Sequence, residues 1–341
     1  MTPKTSADLI KSYFCKCDPT PQIEIKVIPS YHCDLKCKYC YNKKFELNPN
    51  ISNSDPEKIK NQIDHILGES DKLKVIIEII GGDPLSTFNY PITEDLIQYL
   101  KETNKNIKIV VQTGEFSIKK ILNIIPFIDG LSYSVDISSS PKVRNFHNLQ
   151  KIGEGCKENG VDLQIQTILN ILDTSEDILQ FIKICELYNA GWIGLEFPQY
   201  QRYSKNDLNH QITIYLQILK SVKRFPYISI GGAIIESACD YARRNLYKSS
   251  CLCGEKSITI QPDGSLTPSL HTNLNSKFSL TTFAKIKNKR NNVLRSGICS
   301  DCQFWDVCWG GCMAHAEFLT GSYLNRDEEY CYILSNILKS M

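Results

Sequence analysis

The 341-residue sequence predicts an α/β protein: a parallel sheet curled into an open or partial barrel, followed by a cysteine-rich region. Three observations carry this expectation. Six short β-rich runs alternate with helix-like stretches over residues 22–203. The regular pattern changes near Tyr203. The 15 cysteines bunch toward the two ends, with none between Cys40 and Cys156.

Each element has its own signal. Residues 22–29 (QIEIKVIP) alternate with period two, as a half-buried strand does. Residues 75–80 form a β-rich run ending at Gly81-Gly82, and residues 107–112 another ending at Thr113-Gly114. Residues 131–136, 161–168 and 192–197 continue the series. Asp55-Pro56 opens a helix to about Leu67, with Pro at a tolerated first-turn position. Residues 95–101 and 118–125 read as helices, and residues 174–177 (TSED) as the N-cap of an amphipathic run to Leu187. Right-handed crossovers curl such units into a barrel whose chemistry sits at the C-terminal strand ends. Residues 208–222 read as a bridging helix, and residues 257–266 as a hairpin turning at Asp263-Gly264. The remainder has little periodicity, so bound metal is expected to supply folding free energy there. The expected organisation is an arm over 1–21, the barrel over 22–205, a helical linker over 206–250 and the cysteine-rich domain over 251–341.

Composition excludes several classes. Hydrophobic residues are 42% and charged residues 22%, which rules out a disordered or fibrous chain. Lys plus Arg is 39 against 37 for Asp plus Glu, and a net charge of +2 provides no field for nucleic acid. The longest apolar run, residues 75–80, is interrupted by Glu78, so no membrane span is expected. The first six residues lack the apolar core of a signal peptide, which predicts a cytoplasmic protein. In that reducing compartment, abundant cysteine points to metal ligation rather than disulfides.

Cys33, Cys37 and Cys40 follow the first strand as C-x3-C-x2-C. Three thiolates can hold three corners of a cuboidal iron–sulfur cluster and leave one iron without a protein ligand. Structural zinc wants four ligands; His32 is the available fourth under that alternative. The spacing, with an aromatic at Tyr39 before the last Cys, resembles the motif of the radical SAM superfamily. The resemblance implies a partial (β/α)6 barrel of TIM type and a [4Fe–4S] cluster on Cys33, Cys37 and Cys40. It implies that S-adenosylmethionine chelates the open iron and is cleaved to a 5′-deoxyadenosyl radical, which abstracts hydrogen from an unactivated C–H bond. A flavodoxin- or ferredoxin-type protein would donate the electron.

Other positions match that family residue by residue. Gly81-Gly82-Asp83-Pro84 resembles its GGE motif, whose backbone receives the SAM amino group. Asp stands here for Glu, and a largely main-chain contact would make the exchange harmless; the plain alternative is a Gly-rich turn. Thr113-Gly114, beside Gln112, resembles the TNG turn, and Ser134-Val135-Asp136 the S-x-D segment facing the ribose. Arg144 is a candidate for the SAM carboxylate or else a surface Arg. Gln166 and Leu195 are candidates near ribose and adenine, with core packing the alternative for Leu195.

The second array is Cys299-x2-Cys302-x5-Cys308-x3-Cys312, with Cys331 beyond and Gly310-Gly311 before Cys312. A zinc ribbon is the plain alternative. Together with Cys253 and Gly264, the array resembles the SPASM/twitch extension of radical SAM peptide maturases. That resemblance implies one or two auxiliary clusters. The second would use Cys299, Cys302, Cys308 and Cys331; the first would use Cys253 and Cys312 with Cys251 or Cys239. The family's Cys after Gly264-x4 is Ser269 here. This leaves an open iron, a smaller cluster, or a shell closed by both Cys239 and Cys251. Cys156 and Cys185 read as packed thiols, and Cys15-x-Cys17 has no assigned role.

Auxiliary clusters can accept the second electron of a net two-electron oxidation. The leading expectation is therefore oxidation or crosslinking of a ribosomally made precursor peptide, through sulfur or an aromatic carbon. About 22 residues precede the barrel, too few for a winged-helix leader-binding domain, so leader recognition would need a separate protein or a strand edge. The alternatives are a small-molecule radical dehydrogenase and a non-catalytic zinc protein.

Overall fold

The computed structural model describes residues 22–37, 39–40, 42, 54–69, 74–103, 106–115, 117–135, 148–169, 173–198, 201–221, 224–225, 227–235, 237–238, 257–270 and 280–340. The alternating series forms in order: β1 (Gln22–Val27), α1 (Pro56–Glu69), β2 (Lys74–Ile79), α2 (Tyr90–Glu102), β3 (Ile107–Thr113), α3 (Ile118–Ile124), β4 (Gly130–Ser134), α4 (Leu149–Asn159), β5 (Asp162–Ile168), α5 (Ser175–Leu187) and β6 (Trp192–Glu196). Strands β1 to β6 pair in parallel in sequence order, as in Ile25↔Ile77 and Ile77↔Ile109. This is the partial barrel of an α/β fold.

The pleat explains the composition of the strands. Ile25, Val27, Ile77, Ile79, Ile109, Val111, Leu131, Tyr133, Ile165 and Ile193 share one continuous buried core with α1 to α5. Their neighbours on the same strands, Lys26, Glu78, Gln112, Ser134, Gln166 and Glu196, line a cavity inside the barrel. Helix starts follow local chemistry. Asp177 N–H donates to Thr174 Oγ1 at 3.2 Å while Thr174 N–H donates to Asp177 Oδ2 at 3.1 Å, closing a capping box on α5. Helix α2 begins at Tyr90 rather than at residue 95, because Pro91 suits its first turn.

The sheet continues past the sixth strand. Helix α6 (Lys205–Ser221) buries Leu208, Ile212, Tyr215 and Ile218, and β7 (Ser229–Gly231) then pairs in parallel with β6. On the other side, β8 (Ser257–Ile260) pairs in parallel with β1, and β9 (Leu266–Thr267) returns antiparallel to β8. The expected hairpin therefore forms, with Gly264 at φ +82°, but as the outer edge of the barrel sheet.

The C-terminal region corrects one expectation, that it has little periodicity. Helices α7 (Leu280–Ser296), α8 (Trp305–Cys308), α9 (Met313–Thr320) and α10 (Glu328–Ser340) follow. On α10, Ile333, Leu334, Ile337 and Leu338 are buried at helical spacing and join the same core as Ile212 and Ile218 of α6. Polar ties reinforce the seam: Tyr332 Oη donates to Asn209 Oδ1 at 2.8 Å, and Tyr203 N–H to Glu329 Oε1 at 3.1 Å. Among the described residues no helix is long and apolar enough to cross a membrane.

Candidate cofactor site at the barrel mouth

The three-cysteine segment is fixed by the turn that ends β2. Ile80 N–H donates to Val27 O at 2.9 Å, Gly82 N–H to Ser30 O at 3.1 Å, and Asp83 N–H to His32 O at 3.2 Å. Residues 28–32, which lead into Cys33, are thus laid along residues 80–83. Glycine is required for this approach. A Cβ on Gly82 would sit 2.1 Å from His32 O, and one on Gly81, at φ +133°, 2.4 Å from Ile28 Cγ2. Asn89, fully buried, clamps the two segments: its Nδ2 donates to His32 O and Asp83 O, each at 2.9 Å, and its Oδ1 accepts from Ser30 Oγ at 2.5 Å.

The Asp83 side chain has a structural role of its own. Its buried carboxylate accepts from Thr113 Oγ1 at 2.6 Å, Gly114 N–H at 2.8 Å and Leu85 N–H at 2.9 Å. It thereby ties the ends of β2 and β3 together. Burial raises its pKa, against these hydrogen bonds. Each of those donors would cost about 1–3 kcal/mol if left buried and unpaired.

The structure brings most of the sequence-derived residues to one cavity of about 480 Å³. Cys33, Cys37, Tyr39 and Cys40 line it from the β1 loop, Gly81, Gly82 and Asp83 from β2, Thr113 from β3, Ser134 from β4 and Gln166 from β5. Two residues are placed elsewhere. Leu195 is fully buried in the core, because the pleat gives the cavity to its neighbours Gly194 and Glu196. Pro84 is buried away from the lining, its carbonyl accepting from Thr93 Oγ1 at 2.7 Å. Asp136 and Arg144 lie outside the described residues.

Of the rest of the lining, the sequence pointed to Gln112 beside the Thr113-Gly114 turn and not to Lys26, Glu78, Trp192 or Asn42. Lys26 Nζ lies 3.5 Å from Glu78 Oε2, and burial raises the Glu78 pKa while Lys26 opposes the shift. Gln112 Nε2 donates to Gln166 Oε1 at 2.8 Å. The Trp192 ring occupies the space that a Cβ on Gly194 or Gly231 would need, 2.5 Å away in each case. Glu196 Oε1 accepts from Ala233 N–H at 2.6 Å, and Asn42 Nδ2 donates to Gly81 O at 2.6 Å. Lys26 and Glu78 had a usable signal, since each is a charge inside an apolar run.

The late cysteines also converge. The neighbouring Cys308 thiol lowers the Cys331 pKa to about 6 against burial, with Arg326 assisting. Cys331 and burial push Cys308 up, and Cys302 adds to the effect. Burial raises Cys299, with Cys302 and Cys331 adding. Cys299 and Cys308 thus each feel the charge of Cys302 and Cys331, although among the described residues no three His, Cys, Asp or Glu side chains are grouped closely enough to hold a single metal ion. Cys312 is half-buried at the start of α9. Cys15, Cys17, Cys239, Cys251 and Cys253 lie outside the described residues. Cys156 and Cys185 are packed thiols in α4 and α5; burial pushes Cys156 up to about 12 and Cys185 higher.

The family model for the radical SAM superfamily matches residues 27–184, the stretch that carries the three-cysteine loop. These residues are a radical SAM domain. A Methanocaldococcus jannaschii protein, provisionally named a glycyl-radical enzyme activating enzyme, is 27% identical over 183 residues, 49% of this chain and 72% of that protein. Solved structures share the fold. AnSMEcpe with bound AdoMet has a TM-score of 0.64 at 15% identity, covering 94% of this chain and 96% of that one. The same protein with AdoMet and the Kp18Cys peptide has a TM-score of 0.67 at 16% identity, with the same 94% and 96% coverage. Streptococcus suis SuiB bound to S-adenosylmethionine has a TM-score of 0.61 at 17% identity, covering 92% of this chain and 75% of that one.

The cofactors of the domain are S-adenosylmethionine and a [4Fe–4S] cluster. The first cysteine loop suits such a cluster chemically. Burial pushes the Cys33 thiol up to about 12, a hydrogen bond from Leu35 N–H opposing it and Asp83, Cys40 and Cys37 adding to it. Three mutually repelling thiolates beside a buried carboxylate are matched by a cationic iron core.

Proposed function

We propose that the chain is a radical SAM enzyme that oxidises the side chain of a ribosomally made peptide, joining it to a neighbouring residue through carbon or sulfur. One observation carries the reading: the three cysteines, the Gly81–Asp83 turn and the C-terminal ends of β3 to β6 line a single cavity. Cys33, Cys37 and Cys40 would hold the cluster. When bound, cluster and SAM together supply a 5′-deoxyadenosyl radical. Gly81, Gly82, Ser134 and Gln166 would seat the cofactor, with Asp136 and Arg144 its further partners. Glu196, fixed by Ala233 N–H, is the cavity's candidate base. Cys299, Cys302, Cys308 and Cys331 would hold an auxiliary cluster that accepts the second electron. Cys312 would serve the other auxiliary cluster with Cys253 and Cys251 or Cys239. A peptide substrate is supported by the peptide complex of the same fold. A flavodoxin- or ferredoxin-type donor and a cytoplasmic site complete the proposal.

Co-expression with any short peptide that a neighbouring reading frame encodes tests this reading. The peptide is expected to lose about two hydrogens in mass for one net two-electron oxidation. Cys308→Ala is expected to stop product formation while abortive SAM cleavage continues; full product from that variant contradicts a redox role for the late array. A second reading, activation of a partner protein by hydrogen abstraction from a glycine, is favoured by the M. jannaschii relative. It predicts a glycyl-radical EPR doublet on the partner in place of the mass loss.

A further inference from the structure

Arg290 is 2% exposed on the inner side of α7, two turns before Cys299. All three of its side-chain nitrogens donate to main-chain carbonyls. Nη1 reaches Trp309 O at 3.0 Å and Gly311 O at 3.2 Å; Nη2 reaches Gly310 O at 2.6 Å and Asn325 O at 3.1 Å; Nε reaches Asn325 O at 3.1 Å. Trp309, Gly310 and Gly311 are the whole connection between Cys308 and Cys312. They take three successive left-handed conformations, φ +49°, +77° and +72°. That conformation turns three consecutive carbonyls toward one cation. Glycine suits the two later positions because their φ strains any L side chain, and a Cβ on Gly311 would also lie 2.7 Å from Asp327 Cβ.

The other end of the fork leads to the last cysteine. Asp327 N–H donates to Gly310 O at 2.8 Å, Cys331 N–H to Asp327 O at 3.0 Å, and Tyr330 N–H to Asp327 Oδ1 at 3.0 Å. One guanidinium thus staples the Cys308–Cys312 turn to the segment that starts α10 and carries Cys331. On the same helix, Arg295 Nη1 donates to Cys299 O at 3.2 Å.

We infer that Arg290 is a positioning residue that shapes the late cysteine array before any metal arrives, holding Cys308 and Cys312 in register with Cys331. The inference rests on reading that array as an iron–sulfur site. The geometry demands a fork: a lysine ammonium, a compact point charge, cannot span four carbonyls on two segments.

The test uses full-length wild type, Arg290→Lys and Arg290→Met, reconstituted anaerobically. Iron and sulfide per chain, EPR of the reduced protein and 5′-deoxyadenosine release are measured. Both variants are expected to keep the first cluster, about four irons, and SAM cleavage, while losing at least half of the remaining iron or altering the auxiliary EPR signal. Full iron with an unchanged auxiliary signal in both variants overturns the inference. Hydrogen exchange on metal-free wild type is a check that needs no variant. The Gly311 and Asp327 amides are expected to be protected before iron is added, and fast exchange at both overturns preorganisation. Wild type that binds only about four irons overturns the underlying reading instead, whatever the variants do.

Discussion

Replacing any one of Cys33, Cys37 and Cys40 by Ala is expected to reduce 5′-deoxyadenosine formation to background and to remove about four irons per chain, with the remaining iron retained. The expectation follows from ligand number. Two thiolates cannot hold the corners that three hold, and the next candidate donor on the loop, His32, has its ring against Phe88 with centroids 4.3 Å apart. The fold should survive, because the barrel core is built from β1 to β6 and their helices without these side chains. The second array is anchored on α7 to α10, so its iron should be untouched. Iron analysis and product chromatography on the same sample check both parts. A variant that still cleaves SAM contradicts the assignment.

Gly82→Ala is expected to abolish SAM cleavage with every cysteine in place. The added methyl carbon would be 2.1 Å from a main-chain oxygen, not from the end of a flexible side chain. Residues 30–32 must therefore move away from residues 81–83. The hydrogen bonds from Gly82 and Asp83 N–H and the Asn89 clamp go with them. Overpacking of this kind costs about 3 kcal/mol, enough to displace the loop but not to unfold the barrel. Circular dichroism should report native helix content while 5′-deoxyadenosine falls at least about a hundredfold, the rate equivalent of about 3 kcal/mol. Activity near wild type would show that the loop tolerates the displacement.

Much of this was legible in the sequence, for identifiable reasons. Strands β1 to β6 are short β-rich runs, the first with period-two alternation, a signal local to each segment. The three-cysteine spacing and the Gly-Gly turn are likewise local, which is why they could be paired before any fold was drawn. What stayed hidden depends on distant partners. β7 is three residues long, and the partner of β8 is β1, more than two hundred residues away. Asn89 shows its role through Ser30 and His32, 59 and 57 positions earlier. The ties of the Asp83 side chain were hidden because its partners, Thr113 and Gly114, lie at the end of the next strand and just past it. Leu195 was misplaced by one step of the pleat. The C-terminal core was hidden by the density of Cys and Gly around it, although Ile333, Leu334, Ile337 and Leu338 carry a plain helical repeat.

Low-temperature EPR of the anaerobically reduced protein, recorded with and without SAM, reports whether the three-cysteine loop carries a cluster with an open iron. The account predicts a [4Fe–4S]⁺ signal that shifts on SAM addition and that vanishes in Cys37→Ala while auxiliary signals persist. A signal indifferent to SAM, or one that survives loss of Cys37, would contradict it.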